Sequence, residues 1–138
     1  MRSAITICLV PQARQGPFVF HDGLAAGCAQ ASTLGFDAVE IFPASAQEVD
    51  ASELKTLLTQ HSLSLAAMGT GAGMVVHQWS LSSPKPEIRT QALEFIRGII
   101  DLAAQFGAPA IVGSMQGKVE PGVERAQASD CSVSGPWA

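Results

Sequence analysis

The 138-residue sequence has few charged residues: Asp, Glu, Lys and Arg make up only 14% of it, against about 25% in an ordinary globular domain. Hydrophobic residues make up 47%. So few solvated side chains favour strands that are covered on both faces, or a face that something outside this sequence covers. The length favours a single domain, since a chain of this size buries roughly two-thirds of the surface that it exposes when unfolded.

Positive charge is scarce and scattered. The net charge is −4 and there is no cluster of Lys and Arg, so the sequence lacks the electrostatic footprint of a protein that binds nucleic acid or an anionic membrane. No segment approaches the roughly 20 apolar residues of a membrane span. Pro11 also interrupts the N-terminal apolar run before the core of a signal peptide is complete. We therefore expect a cytoplasmic protein with no nucleic-acid or membrane partner.

Cysteine and histidine motifs are also missing. The three cysteines, Cys8, Cys28 and Cys131, lie far apart and form no C-x-x-C pair of the kind that binds zinc or carries redox chemistry. We expect buried, reduced thiols at Cys8 and Cys28 and an incidental free thiol at Cys131. No histidine has a metal-ligand spacing to another histidine or to an acidic residue.

Apolar segments that resemble strands alternate with segments of helical periodicity. The strand candidates are residues 4–10, 36–42, 63–73 and 109–115. Helical patterns lie between them, with a long connection before the last helix. This alternation is typical of a parallel α/β sheet built from right-handed crossovers.

Capping residues mark the ends of the predicted helices. Asp22 and Asp50 are candidate N-caps, the second with Glu53 at the spacing of a capping box. Ser83, Pro84 and Pro86 indicate the start of the third helix, and Gly107 its end. Beyond Gly117 the segment KVEPGVERAQA begins like a fourth helix, but SDCSVSGPWA follows without an apolar period. We predict one domain over residues 1–128 and an irregular tail over residues 129–138.

Two strand ends carry residues suited to a ligand site. Glu40 is the acidic residue in the middle of its apolar strand, so it either faces a polar pocket or has a partner. Gly69, Gly71 and Gly73 end the third strand, but no helical pattern follows them as the dinucleotide-binding fingerprint requires. These glycines either let the backbone approach a ligand or allow a sharp turn.

Polar side chains after the third and fourth strands are further candidates. His77, beside Gln78 and Trp79, would suit a sugar pocket, in which aromatic rings stack on the sugar and imidazoles bind its hydroxyls. Ser114 and Gln116 follow the fourth strand, where they either bind a hydroxyl or phosphate or simply close a capped turn.

Several segments together resemble the xylose isomerase-like TIM-barrel superfamily, the sugar (phosphate) isomerases and epimerases. They are LVPQARQGPFVF, LGFDAVEIF and the run from MGTGAG to GSMQGK, and the resemblance extends from Ile5 to about Gln127. This sequence has Lys85 at a position where family members more often carry Asp. The resemblance implies an α/β fold that is part of a (β/α)8 TIM barrel, with the first four parallel strands, three full helices and an irregular C-terminal tail. Pockets of such barrels lie at the carboxyl ends of the strands, so the implied substrate-binding residues are Glu40, Gly69, Gly71, His77, Ser114 and Gln116.

The resemblance also implies a chemistry. Full-length relatives would use Mn²⁺ or Mg²⁺ to polarise the carbonyl of a ketose or aldose while carboxylates move a proton between adjacent carbons. A complete barrel takes about 250 residues, and the family's metal ligands and catalytic acids lie in the later half. No catalytic residue or metal ligand is therefore carried over. We expect an N-terminal fragment, truncated by a frame change or early stop near residues 126–128, that binds a small sugar or sugar phosphate and is inactive alone.

Two alternatives stay open. In the first, the chain is a non-catalytic α/β protein that binds a sugar or phosphate or acts in assembly. In the second, a separately encoded second half completes it. A homodimer of half-barrels is a further expectation, because an open sheet exposes two strand edges and an apolar inner face. Endonucleases that act on damaged DNA share this barrel, but the acidic balance argues against that branch.

Overall fold

Four parallel strands form one sheet in the computed structural model, which describes residues 2–119 and Gly122. The predicted tail at 129–138, Cys131 and most of the helix-like segment after Gly117 lie outside the described residues. Each strand pairs with the next one in the chain, so the spatial order equals the chain order. The strands are β1 (Ala4–Cys8), β2 (Ala38–Phe42), β3 (Ser64–Gly69) and β4 (Ala110–Ile111). The predicted parallel α/β sheet is confirmed.

Helices connect the strands, and the three longer ones cover one face of the sheet. They are α1 (Gly23–Thr33), α2 (Ala51–Gln60), α3 (Ala72–His77) and α4 (Pro86–Ala104), with 3₁₀ turns at Pro11–Ala13, Ala46–Glu48 and Gly113–Gln116. The main core lies between the sheet and α1, α2 and α4, and it includes Ile7, Cys28, Val39, Ile41, Leu54, Met68 and Ile99. Because side chains alternate along a strand, the neighbours of Val39 and Ile41 point to the opposite face. No helix in the described part of the chain is both long and apolar enough to cross a membrane.

The fourth strand is much shorter than predicted. Only Ala110–Ile111 pairs with β3, after which the chain enters the 3₁₀ turn at Gly113, whose φ is +54°. Thr70 provides the physical reason: its hydroxyl lies 3.0 Å from the carbonyl oxygen of Ile111 and 2.8 Å from that of Val112. A side chain thus takes the place of strand partners at the end of β4.

The predictions for β3 and the connection after it were also partly wrong. The strand ends at Gly69 rather than Gly73, and the connection that follows contains α3. Gly73 allows α3 to approach the turn after β4, because a Cβ at Gly73 would lie 2.5 Å from the Met115 sulfur. Sequence periodicity does not detect a helix as short as α3. Its packing partner Met115 also lies more than 40 residues away along the chain, so no local pattern joins the two.

The helix starts agree with the predictions in two cases and differ in one. The Asp50 carboxylate accepts hydrogen bonds from the amides of Ser52 (2.8 Å) and Glu53 (3.0 Å), as predicted. Helix α4 begins at Pro86, with Lys85 before it, as the prolines predict. Asp22 stands at the start of α1, but its side chain makes no capping bond; it lies 3.7 Å from the Arg14 guanidinium in an exposed ion pair.

The outer edge of β1 is partly covered by its own loop. The Cys8 amide donates to the Phe20 carbonyl at 2.8 Å, and Ile7 forms a parallel bridge with Phe20. The expectation of two exposed strand edges is therefore only partly met at β1. Cys8 and Cys28 are buried and free, as predicted, and burial raises the pKa of the Cys28 thiol.

Candidate functional site

A cavity of about 420 Å³ opens at the carboxyl ends of the strands, a volume typical of small-ligand sites. Its walls are mostly apolar, and a few polar groups converge on it. It is named the first cavity, and it is lined by Gln12, Ala13, Gly16, Pro17, Phe18, Glu40, Phe42, Gly69, Thr70, Gly71, Val75, Ile111, Gly113 and Ser114. Four of the six predicted substrate-binding residues thus line one cavity: Glu40, Gly69, Gly71 and Ser114.

Among the described residues, Glu40 is the only acidic side chain that lines the first cavity. Strand alternation directs it away from the helices, while Val39 and Ile41 enter the core. The side chain is half-buried, and within residues 2–119 its carboxylate has no hydrogen bond or ion pair. Burial raises the pKa of the Glu40 carboxyl group above its usual value, because the charged form loses solvation. The alternative of a carboxylate satisfied by a neighbouring backbone group or Arg finds no support among these residues.

The glycines after β3 make room for an aromatic ring. A Cβ at Gly69 would lie 2.8 Å from the Phe42 ring, and one at Gly71 would lie 2.9 Å from it. Neither glycine has a positive φ, so close approach rather than a special turn explains them. The approaching group is Phe42, which also packs against Phe18 with ring centroids 5.0 Å apart.

Thr70 is a structural residue that the sequence did not single out. It is fully buried, and its hydroxyl and amide both bond to the end of β4. Those bonds place Gly113 and Ser114 at the rim of the first cavity. A lone Thr between two glycines gives no sequence signal for this role, because its partners follow 41 and 42 residues later.

The two remaining predicted site residues lie elsewhere. Gln116 lines a second cavity of about 620 Å³, which it shares with Ser114. His77 is exposed at the end of α3, and its ring stacks on Trp79 with centroids 4.1 Å apart. Neither cavity counts His77 among its lining residues, so its contact with a sugar stays a prediction.

The described residues do not fit a divalent metal ion. Among them no three His, Cys, Asp or Glu side chains come together, whereas protein sites for such ions combine several oxygen or nitrogen ligands. Glu40 alone is not a site of that kind. We therefore derive no metal-dependent step from these residues.

Consecutive parallel βα units with a cavity at the carboxyl ends of their strands define part of a β/α barrel. The chain belongs to the xylose isomerase-like TIM barrel family, whose model matches residues 28–133. No curated protein matches the sequence significantly.

Several solved structures share the fold. The apo 3-keto-D-glucoside 4-epimerase YcjR of E. coli has a TM-score of 0.66 and 15% identity, with 96% of this chain and 48% of that chain covered. AP endonuclease, family 2, of Brucella melitensis has a TM-score of 0.60 and 16% identity, with 96% of this chain and 47% of that chain covered. D-allulose 3-epimerase of Methylomonas sp., in complex with D-allulose, has a TM-score of 0.58 and 20% identity, with 94% of this chain and 44% of that chain covered. At these identities the similarity concerns the fold, and this chain spans about half the length of each structure.

Replacing Glu40 by glutamine is expected to stabilise the protein at pH 7 but not at pH 4. The folded-state pKa of Glu40 lies above its unfolded value, so folding favours the neutral carboxyl group. Stability linked to Glu40 is therefore fully present below the unfolded pKa and is lost as the pH rises through the folded pKa. Thermal unfolding of wild type and Glu40→Gln from pH 4 to 7 measures the difference. A wild-type melting temperature that rises above that of Glu40→Gln toward pH 7 would contradict the assignment.

Proposed function

We propose that this chain is half of the barrel of a sugar isomerase or epimerase and binds a small sugar in the first cavity. Membership of the family supports the proposal. The observation that carries it is the half-buried Glu40, which has no partner within residues 2–119 and faces a cavity with mostly apolar walls. Such a carboxylate is ready to accept hydrogen bonds from ligand hydroxyls.

The proposed binding mode uses both the apolar walls and the polar groups of the first cavity. The C–H face of the sugar lies against Phe42 and Phe18, which remove water from one side of the ring. Glu40 accepts hydrogen bonds from hydroxyl groups on the other side, and the Ser114 hydroxyl contacts the rim. Because the apolar walls exclude water, these few polar contacts both orient the sugar and strengthen each other.

We further propose that this chain alone does not turn a sugar over. Moving a proton between adjacent carbons needs a pair of acid and base groups, and Glu40 is the only carboxylate that residues 2–119 place at the first cavity. The remaining groups, and the Mn²⁺ or Mg²⁺ expected for full-length relatives, would come from a second half of the barrel. Measurable epimerisation of a ketose by the purified chain with Mn²⁺ present would contradict this part of the proposal.

The binding proposal is tested by calorimetric titration of D-fructose and D-allulose. We expect weak binding, in the millimolar range, that falls about tenfold in Glu40→Gln, since a hydrogen bond to a charged group contributes about 1.5–3 kcal/mol. Glu48→Gln is the matched control, because Glu48 is exposed on the turn Ala46–Glu48. Equal affinities of wild type and Glu40→Gln, or no binding of either ketose, would reject the first cavity as a sugar site.

Two other possibilities accompany this proposal. Pairing of two copies as half-barrels is supported by the edge strand β4, on which Ile111 is 44% exposed, and light scattering that finds only monomer at every concentration would reject it. A nuclease function is disfavoured because, within the part of the chain that the structure describes, no Lys or Arg lines the first cavity, whereas binding to duplex DNA requires phosphates to be neutralised. The non-catalytic binding alternative would be supported by ketose binding that persists without turnover even when a second half is supplied.

A further inference from the structure

The second cavity adjoins the first one at Ser114. Its volume is about 620 Å³, and it is lined by Met74, Gln78, Ser80, Ser114, Gln116, Gly117 and Lys118. Ser114 lines both cavities, so the two are neighbours at this residue. The binding role proposed above uses only the first cavity.

Ser80 is a buried polar residue in the lining of the second cavity. It is only 7% exposed, and no hydrogen-bond partner of its hydroxyl lies within residues 2–119. No fully enclosed side-chain oxygen or nitrogen in the described part of the chain lacks a partner, so the Ser80 hydroxyl must open to the cavity rather than to the core. A hydroxyl that opens to a cavity is free to donate a hydrogen bond to a ligand atom there.

The wall behind Ser80 is shaped by Gly117. The Ser80 hydroxyl oxygen lies 3.0 Å from the position that a Cβ on Gly117 would take, and Gly117 has a φ of +88°. The absence of a side chain at Gly117 therefore lets this part of the backbone pack closely against Ser80 in the lining of the second cavity.

The charges and donors that line the second cavity favour an anion. Lys118 supplies an ammonium group, and Gln78 and Gln116 supply amide donors. Among residues 2–119 no Asp or Glu lines this cavity, although acidic residues outnumber basic ones in the sequence, 12 to 8. Hydroxyl, amide and ammonium donors together are the groups that bind phosphate oxygens.

We propose that the second cavity binds the phosphate group of a phosphorylated sugar whose ring lies in the first cavity. Lys118 pairs with the phosphate and Ser80 donates a hydrogen bond to one of its oxygens. The inference rests on the proposed sugar-binding function and narrows its ligand to a phosphate monoester.

The test compares titrations of D-fructose, D-fructose 6-phosphate and inorganic phosphate into the full chain. In the wild type we expect D-fructose 6-phosphate to bind at least about tenfold more tightly than D-fructose, as one charge-assisted contact allows. Lys118→Gln should remove most of that gain and leave the D-fructose affinity unchanged. Ser80→Ala should reduce the gain about threefold.

Lys85→Gln is the matched control, because Lys85 is an exposed cation before α4 and lines neither cavity. Lys118 is also exposed, so Lys118→Gln is not expected to disturb folding, and thermal melting checks this. Equal binding of D-fructose and its phosphate in the wild type, or a gain that survives Lys118→Gln, would overturn the phosphate site while leaving the sugar site standing. If D-fructose does not bind, the proposed function fails, and inorganic phosphate then decides the second cavity: binding that Lys118→Gln abolishes supports the anion site, and no binding rejects it.

Discussion

Replacing Phe42 by alanine is expected to lower the free energy of unfolding by about 3–4 kcal/mol, the usual loss for a buried Phe. Phe42 is 8% exposed and packs with Cys8, Val10 and Ala72 between the sheet and α3. Its ring also fills the space left by Gly69 and Gly71, and neither backbone segment is able to move into the void. Urea unfolding measures the loss. The same substitution removes the wall against which we propose that the sugar lies, so ketose affinity should fall with it.

Two further variants separate packing from aromatic contact. Phe42→Leu keeps most of the volume and should lower the free energy of unfolding by only about 1 kcal/mol, while ketose binding still weakens because the flat ring is lost. Val19→Ala is a control for truncation at an exposed site, since Val19 is 68% exposed. A loss below about 1 kcal/mol for Phe42→Ala would mean that the ring is not part of the core.

Replacing Gly117 by alanine is expected to lower the free energy of unfolding by about 3–5 kcal/mol, from two additive causes. Gly117 has φ +88° and ψ −171°, a backbone region that residues with a Cβ rarely occupy. The new Cβ would also overlap the Ser82 hydroxyl oxygen and lie 2.9 Å from the Ser80 Cβ. Ser82 cannot simply rotate away, because its hydroxyl donates to the Lys118 carbonyl at 3.1 Å.

Gly107→Ala is the matched control for backbone strain without a clash. Gly107 also has a positive φ, +64°, but nothing lies within 4 Å of its Cβ position, so the expected loss is only about 1 kcal/mol. Thermal melting compares the two variants. Hydrogen exchange at the Leu81 amide, which donates to the Met115 carbonyl at 2.8 Å, reports whether the two segments around Gly117 have separated. Equal losses for the two variants would show that Ser80 and Ser82 yield to the new methyl group.

Most of the fold followed from local signals in the sequence. Mainly apolar runs marked β1 and β2, and the capping box at Asp50 marked the start of α2, because each depends on residues that are close together in the chain. The end of β4 did not follow, since it depends on a hydroxyl at Thr70. Helix α3 was missed because six residues carry too little periodicity to separate a helix from a loop.

The candidate site was predicted in part for a similar reason. Glu40 stood out because a carboxylate within an apolar strand is unusual, and the structure places it in the first cavity. The sequence shows Gly69 and Gly71 at the end of a strand. Their contact with Phe42 is not predictable from it, because that contact depends on the pairing of β2 with β3. Ser80 and Lys118 were not singled out at all, because a serine-rich loop and an isolated lysine carry no pattern until the fold brings them to one cavity.

The match between strand order and chain order has a consequence for how the protein is made. Pairing joins residue 4 to 38, 38 to 64 and 68 to 110, so every strand docks on one that precedes it, and no pairing must wait for a distant part of the chain. Closing such short loops costs little entropy. During synthesis, the sheet is therefore able to grow by one βα unit at a time as the chain leaves the ribosome.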